Sequence, residues 1–203
     1  MLKYKNNINE IGLDEAGRGP LIGRVYAGAV IWEQEKECDI IKDSKKLTPK
    51  KRAIALDWIK NNIKYWGVGY ADEKEIDKIN ILNATKLAMD RAIDNLKTTK
   101  GYKYTENVSY LLIDGTGWEK KFKNYNVESI IKGDSLYYSI AAASIIAKEH
   151  HDMYIRELIS IDPTLDEKYS LSSNMGYPTA KHFDGIKKHG CSEYHRKSFK
   201  GVL

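Results

Sequence analysis

Only two cysteines occur in 203 residues, Cys38 and Cys191. They are too far apart to form a metal-ligand pair, and two thiols make no disulfide framework. No apolar run approaches the roughly 20 residues that a membrane-spanning helix needs. The first residues, Met1-Leu2-Lys3-Tyr4-Lys5-Asn6-Asn7, lack the apolar stretch of a signal peptide. Only four prolines are present, and no repeat, linker or low-complexity segment interrupts the chain. These absences exclude a disulfide scaffold, a helical membrane protein and a repeat array. The expectation is a cytoplasmic, monomeric protein with no membrane partner. What is present, 42% apolar and 30% charged residues with a net charge of +5, describes an ordinary α/β-sized core under a mildly basic surface. Such a surface attracts polyanions, nucleic acid among them, although lysine also serves solubility.

Ile11-Gly12-Leu13-Asp14-Glu15-Ala16-Gly17-Arg18-Gly19-Pro20 reads as an apolar strand running into a glycine-rich turn. Two adjacent carboxylates at a strand end supply the hard oxygen ligands that a divalent cation takes. Glycines on either side of an arginine let backbone N–H groups and a guanidinium approach a phosphate or sugar. The blander alternative is a polar turn after an edge strand. Successive strand residues face opposite sides, so Asp14 and Glu15 share a site only if the strand bends or ends there.

Val25–Trp32 and Tyr65–Ala71 read as two further strands, giving an antiparallel meander with the first. Between them Thr48-Pro49 marks a helix start, with Ile54, Ala55, Trp58, Ile59 and Ile63 as its apolar stripe. Glu75–Ile79 reads as a short helix. Asn80 caps a longer one bearing Leu82, Leu87, Met89, Ile93 and Leu96. Residues 101–107 read as a loop, Val108–Asp114 and Val127–Ile131 as apolar strands. The second of these leads into Lys132-Gly133-Asp134. A long helix rich in small residues is expected from Ser135 to Pro163, a polar loop from Leu171 to Gly176, and a last helix over Thr179–His189 stopped by Gly190. Asp14, Glu15, Asp114 and Asp134 therefore share one context, the end of an apolar strand beside glycine. Gathered at one sheet edge they would repel unless cations sat among them.

Several segments in order carry a family resemblance: Gly12-Leu13-Asp14-Glu15-Ala16-Gly17-Arg18-Gly19-Pro20-Leu21, Asp43-Ser44-Lys45-Lys46-Leu47, Ile76-Asp77, Asn80-Ile81-Leu82-Asn83-Ala84-Thr85, Ile113-Asp114-Gly115, Gly133-Asp134, the run Ser139–Lys148, Gly176-Tyr177 and His195-Arg196-Lys197-Ser198-Phe199. Over nearly its whole length the chain resembles ribonuclease HII, the type 2 ribonuclease H. The resemblance implies an α/β, RNase H-like fold, a central mixed five-stranded sheet flanked by helices. It also implies a single catalytic domain over 1–203, of which 163–203 is a small C-terminal helical region that binds substrate.

The implied activity is endonucleolytic, cutting the RNA strand of RNA/DNA hybrids and the 5′ side of single ribonucleotides embedded in duplex DNA. The products carry 3′-hydroxyl and 5′-phosphate ends. Two divalent cations, Mg²⁺ or Mn²⁺, would be held by Asp14, Glu15, Asp114 and Asp134 and would clamp the attacking and leaving oxygens. By the same resemblance Gly17, Arg18 and Gly19 read the 2′-hydroxyl, Tyr177 stacks at the RNA–DNA junction, and Ser44 and Lys45 contact the DNA backbone.

The chain departs from the family pattern at Leu136, where a lysine is usual, at Arg24, where proline is usual, and over Lys148-Glu149-His150-His151-Asp152. His150 and His151 are expected to be solvated, with metal ligation as the alternative. His195-Arg196-Lys197 would either hold nucleic acid or cover the core with their stems. A ribonuclease HIII is disfavoured by Arg18, and a non-catalytic hybrid-binding protein by the four acids. No glutamine-led aromatic motif follows Phe199, so a sliding-clamp partner is not expected.

Overall fold

A computed structural model describes Met1 and residues 10–33, 36–102 and 110–203. The expected loop over 101–107 and the expected strand start at Val108 fall largely outside those residues. The strands are β1 (Glu10–Ala16), β2 (Val25–Ile31), β3 (Tyr65–Ala71), β4 (Tyr110–Asp114) and β5 (Asn126–Ile130). They form one sheet in the order β3-β2-β1-β4-β5. The meander is present: β1 pairs antiparallel with β2, and β2 with β3. Across β1 the sheet changes character, because β4 runs parallel to β1 and β5 parallel to β4. Ligands bind outside the carboxyl ends of parallel strands, and here those ends carry the acids.

The helices are α1 (Pro49–Asn62), α2 (Glu73–Ile79), α3 (Ile81–Lys97), α4 (Tyr138–Ile161), α5 (Thr164–Tyr169), α6 (Leu171–Asn174) and α7 (Ala180–His189). Their starts follow capping chemistry. Thr48 Oγ1 accepts from Lys51 N with Pro49 at the first position, Asp72 and Glu75 form a reciprocal capping box, and Asn80 accepts from Asn83 N. One core cluster lies between the sheet and α3, built on Leu13, Ile113, Met89 and Ile93. A second, with Val30, Ile59, Ala142 and Ile146, fills the other face under α4 and α1. Each large aliphatic side chain buried in these clusters contributes roughly 1.5–3 kcal/mol. The small residues of α4 let it ride close to the sheet. A Cβ on Gly28 would sit 2.3 Å from Ala143 O, so only glycine permits that approach.

Three expectations change. Ile54 is 52% exposed, and the buried face of α1 is Arg52, Ala55, Leu56 and Ile59. An arginine occupies the stripe because buried carboxylates of α4 meet it. Residues 171–174 form a helical turn rather than a loop, between Ser170 and Met175 in the left-handed region. Four residues are too few to show a helical period. The helix expected from Ser135 begins at Tyr138, after a 3-10 turn over Gly133–Ser135. Both cysteines are free, and no helix among the described residues is long and apolar enough to cross a membrane.

Candidate active site

Leu13 pairs with Ile113, so Asp14 and Asp114 follow side by side at the ends of adjacent parallel strands. Gly133 N donates to Asp114 Oδ1 at 2.8 Å, folding the turn after β5 back onto β4 and bringing Asp134 in. Asp14, Glu15 and Asp114 line one cleft of about 230 Å³, together with Gly17, Arg18, Gly19, Ser44, Lys45, Ser144, Lys148 and Tyr177. Asp134 is joined to it by Lys45, whose Nζ lies 3.4 Å from Asp134 Oδ2. Pairing with β2 persists to Ala16, so β1 does not bend at the acids. The two carboxylates nevertheless line one cleft. Gly17, at φ +88°, turns the chain away there, and Arg18 Nη1 folds back to Glu15 Oε1 at 3.1 Å.

The site is electrostatically strained. Burial, then repulsion from Glu15 and Asp114, pushes the Asp14 carboxyl well above its ordinary range. Burial raises Glu15 as well, against the pull of Arg18, and raises Asp134, which Asp114 pushes further. Burial works against the charge on Lys45, but Asp134 and Asp14 outweigh it and the net shift is upward. Among the described residues no three potential ligands are close enough to share one ion as they stand. Protein donors occupy them instead: Glu15 N on Asp14, Gly133 N on Asp114 and Lys45 on Asp134. Glu15 Oε2, by contrast, is buried with no partner. A buried, partnerless carboxylate oxygen among mutually repelling acids is what a divalent cation would satisfy, so these residues fit the ions implied by the sequence.

Behind the acids the turn is held from within. Arg196, fully buried, donates from Nη2 to Gly17 O (2.7 Å), Nη1 to Arg18 O (3.1 Å) and Nε to Gly23 O (2.7 Å). Burial pulls its guanidinium down to about 9, still charged at neutral pH. His195 and Arg196 thus neither hold nucleic acid nor cover the core from outside; both are internal. His151 is also internal, not solvated, and packs behind Gly17, where a Cβ would lie 2.5 Å from its ring. His150 Nδ1 engages Ile146 O. Tyr177, 37% exposed, stands beside Gly19, with Lys148 Nζ 5.4 Å from its ring centre. Ser44 is buried with its hydroxyl 2.8 Å from that of Ser144, whereas the Lys45 side chain is 77% exposed. Leu136 is exposed, and Arg24 is sandwiched 4.2 Å from the rings of both Tyr70 and Tyr154. Ser144 and Lys148 lie in the Ser139–Lys148 run and Arg196 in the His195–Phe199 segment that carry the resemblance, but nothing local marks Ser144 and Lys148 as lining the cleft or Arg196 as the internal support of the turn.

A mixed sheet with antiparallel β3-β2-β1, parallel β1-β4-β5 and acids at the parallel ends defines an RNase H-like α/β fold. The ribonuclease H2 of Pyrococcus horikoshii OT3 shares it, with a TM-score of 0.71 at 24% identity over 96% of this chain and 95% of that one. So does the RNase HII of Archaeoglobus fulgidus, solved in a complex with PCNA, with a TM-score of 0.70 at 22% identity over 95% of each chain. In sequence, residues 11–202 match the family model of Ribonuclease HII. The Ribonuclease HII of Bacteroides fragilis is 45% identical over 190 residues, 94% of this chain and 88% of that protein. The chain belongs to the ribonuclease HII family, the type 2 ribonucleases H, and is a phosphodiester hydrolase.

Proposed function

We propose that this enzyme is an endoribonuclease that cuts the RNA strand of RNA/DNA hybrids and the 5′ side of single ribonucleotides embedded in duplex DNA, leaving 3′-hydroxyl and 5′-phosphate ends. One observation carries the proposal: Asp14, Glu15 and Asp114 open onto the same cleft as the Gly17-Arg18-Gly19 turn and Tyr177, and Lys45 of that lining contacts Asp134. Asp14, Glu15, Asp114 and Asp134 would hold two divalent cations, Mg²⁺ or Mn²⁺. When bound, those ions supply the Lewis acidity and positive charge that phosphodiester hydrolysis requires.

The remaining roles belong to the chain. Arg196 holds the carbonyls of Gly17 and Arg18. In a trans peptide the next N–H points opposite its carbonyl, so the amides of Arg18 and Gly19 are directed away from the buried guanidinium. Those amides are the groups that read a ribose 2′-hydroxyl, the feature that separates RNA from DNA. Tyr177 offers a ring for stacking on the sugar at the RNA–DNA junction. Lys45 balances Asp134 and faces solvent, where a backbone phosphate would lie; Ser44 supports it from behind. Residues 163–203 belong to the same catalytic domain and bring Tyr177 to the cleft as its substrate-binding part.

The test compares a duplex containing one ribonucleotide with a continuous RNA/DNA hybrid, each with Mg²⁺, Mn²⁺ or chelator. Cleavage of both with metal and neither with chelator is expected. Asp134→Asn should abolish cleavage and leave the circular dichroism spectrum unchanged. Near-normal turnover in that variant would overturn the acid assignment, and binding without cleavage by the native enzyme would favour a hybrid-binding protein. Tyr177→Ala should slow the single-ribonucleotide substrate severely.

A further inference from the structure

His182 on α7 and His195 beyond it are both fully buried, with their Nε2 atoms 3.1 Å apart. Their outer partners fix where the protons sit. The Ser192 backbone N–H, which can only donate, points at His195 Nδ1 from 3.0 Å, so that nitrogen carries a lone pair and the Ser192 hydroxyl 2.8 Å away turns its proton to it as well. His182 Nδ1 faces the carbonyl of Tyr177 at 3.2 Å, which can only accept, so that nitrogen carries the proton. A neutral pair then has one arrangement. His195 donates from Nε2 to His182 Nε2, and His182 donates from Nδ1 to Tyr177 O. Burial keeps both rings neutral, pulling His182 below its ordinary value and His195, also repelled by His182, down to about 4. The Tyr169 ring packs edge-on to His195 at 4.6 Å and tilts against His182 at 5.8 Å, walling the pair from water.

The next residue is Arg196, which grips Gly17 O and Arg18 O. Its backbone N donates to Leu21 O, while Leu21 N donates to Gly176 O beside Tyr177. One dipeptide therefore touches both walls of the cleft. Arg196 reaches the turn after β1, and His195 reaches Tyr177 through His182.

We propose that His195-Arg196 is a positioning joint that sets the spacing between the Gly17-Arg18-Gly19 turn and Tyr177, and thereby the enzyme's preference for an isolated ribonucleotide over a continuous hybrid. This rests on the assignment of the turn and Tyr177 to ribose reading. An embedded single ribonucleotide must satisfy both elements at one ribose and its junction. A continuous hybrid offers a ribose at every step and tolerates a looser spacing. Displacement of about 1 Å at a reading element can cost as much as ~100-fold in rate.

The test is the ratio of kcat/KM on the single-ribonucleotide duplex to that on the hybrid. His195→Leu, which severs the chain, should lower the ratio about tenfold or more. His195→Gln, whose amide can still donate to His182, should recover most of it. His182→Asn keeps a donor for Tyr177 O but cannot reach His195; it should behave like His195→Leu and serves if that variant does not fold. A parallel fall on both substrates would mark a merely structural role and overturn the proposal. Tyr177→Ala is measured alongside. If it lowers the ratio and the histidine variants do not, only the joint fails; if it leaves the ratio unchanged, the ribose-reading assignment fails and the joint with it. Long-range ¹H–¹⁵N spectra of the native enzyme at neutral pH should show His195 protonated at Nε2 and His182 at Nδ1. Any other pairing would also overturn it.

Discussion

Arg52 is buried in α1 and donates from Nε to Glu149 Oε1 at 2.6 Å and from Nη2 to Asp152 Oδ2 at 2.9 Å, both carboxylates being buried in α4. Its Nη1 also reaches Leu47 O at 3.3 Å. Asp152 Oδ1 in turn accepts from Lys148 Nζ at 2.8 Å and His151 Nδ1 at 3.0 Å. Burial pushes Asp152 up, but the bonds from His151 and Lys148 outweigh it and hold its carboxyl below the ordinary value. Arg52→Met keeps most of the stem's packing and removes the charge, leaving Glu149 without its cation. Breaking a buried pair from one side costs about 3–5 kcal/mol. In a protein of this length that lowers the unfolding midpoint by roughly 6–20 °C.

The deficit has a sign with pH. A buried carboxylate left without its cation is costly while charged and is relieved on taking up a proton, so the penalty is present at high pH and fades as pH falls. Equilibrium unfolding in urea at pH 8 and pH 5 reads this directly, with the larger gap to wild type at pH 8. Adding Glu149→Gln should return about 1 kcal/mol or more, because the charge that lost its partner is then gone. A loss under about 1 kcal/mol, or a deficit independent of pH, would refute the claim that this guanidinium compensates the α4 carboxylates. Lys148 and His151 sit against Tyr177 and Gly17, so cleavage should fall with stability.

Three further outcomes are expected. Asp14→Asn should unfold at a higher temperature than wild type without metal, because a carboxyl raised by burial destabilises increasingly as pH rises from 3.8 through its folded pKa. Mg²⁺ should then raise the midpoint of wild type and not of the variant, and an equal gain in both would remove Asp14 from the metal site. Glu10, buried at the far end of β1 and pushed by burial to about 7, costs up to ~3 kcal/mol above that pH and nothing below its unfolded value. Glu10→Gln should therefore stabilise at pH 8.5 and not at pH 4, as denaturant titration would show. Gly28→Ala forces a Cβ to within 2.3 Å of Ala143 O and should cost roughly 1–3 kcal/mol; a wild-type melting curve would show that α4 can lift off the sheet.

Much of the architecture is local and so was legible in the chain. The first three strands follow from their apolar alternation and the β1–β2 pairing from a short connection, although β3 returns to β2 only after α1; the starts of α1 and α3 follow from Thr48-Pro49 and Asn80. The acids, too, could be picked out as carboxylates with a glycine within two or three residues, close to the ends of apolar runs. A residue whose environment comes from distant chain carries no local mark of it. Ile54 and Arg52 exchanged places because Glu149 and Asp152, about a hundred residues on, lie against α1. His151, His195 and Arg196 look like surface residues by type, yet each is buried where it supports a neighbour of the cleft.

The sequence by itself determined that strands end in carboxylates and that a glycine-arginine-glycine turn follows the first of them, because strand period and turn chemistry act over a few residues. Only the tertiary structure decided that these carboxylates meet. The parallel register of Leu13 with Ile113 sets Asp14 beside Asp114, and a turn folded back by Gly133 N brings Asp134. It likewise decided that Glu15 and Asp14 line one cleft while β1 stays paired with β2 as far as Ala16. Hydrogen bonds across more than a hundred residues place Arg196 behind the turn, and no periodicity within the chain encodes them.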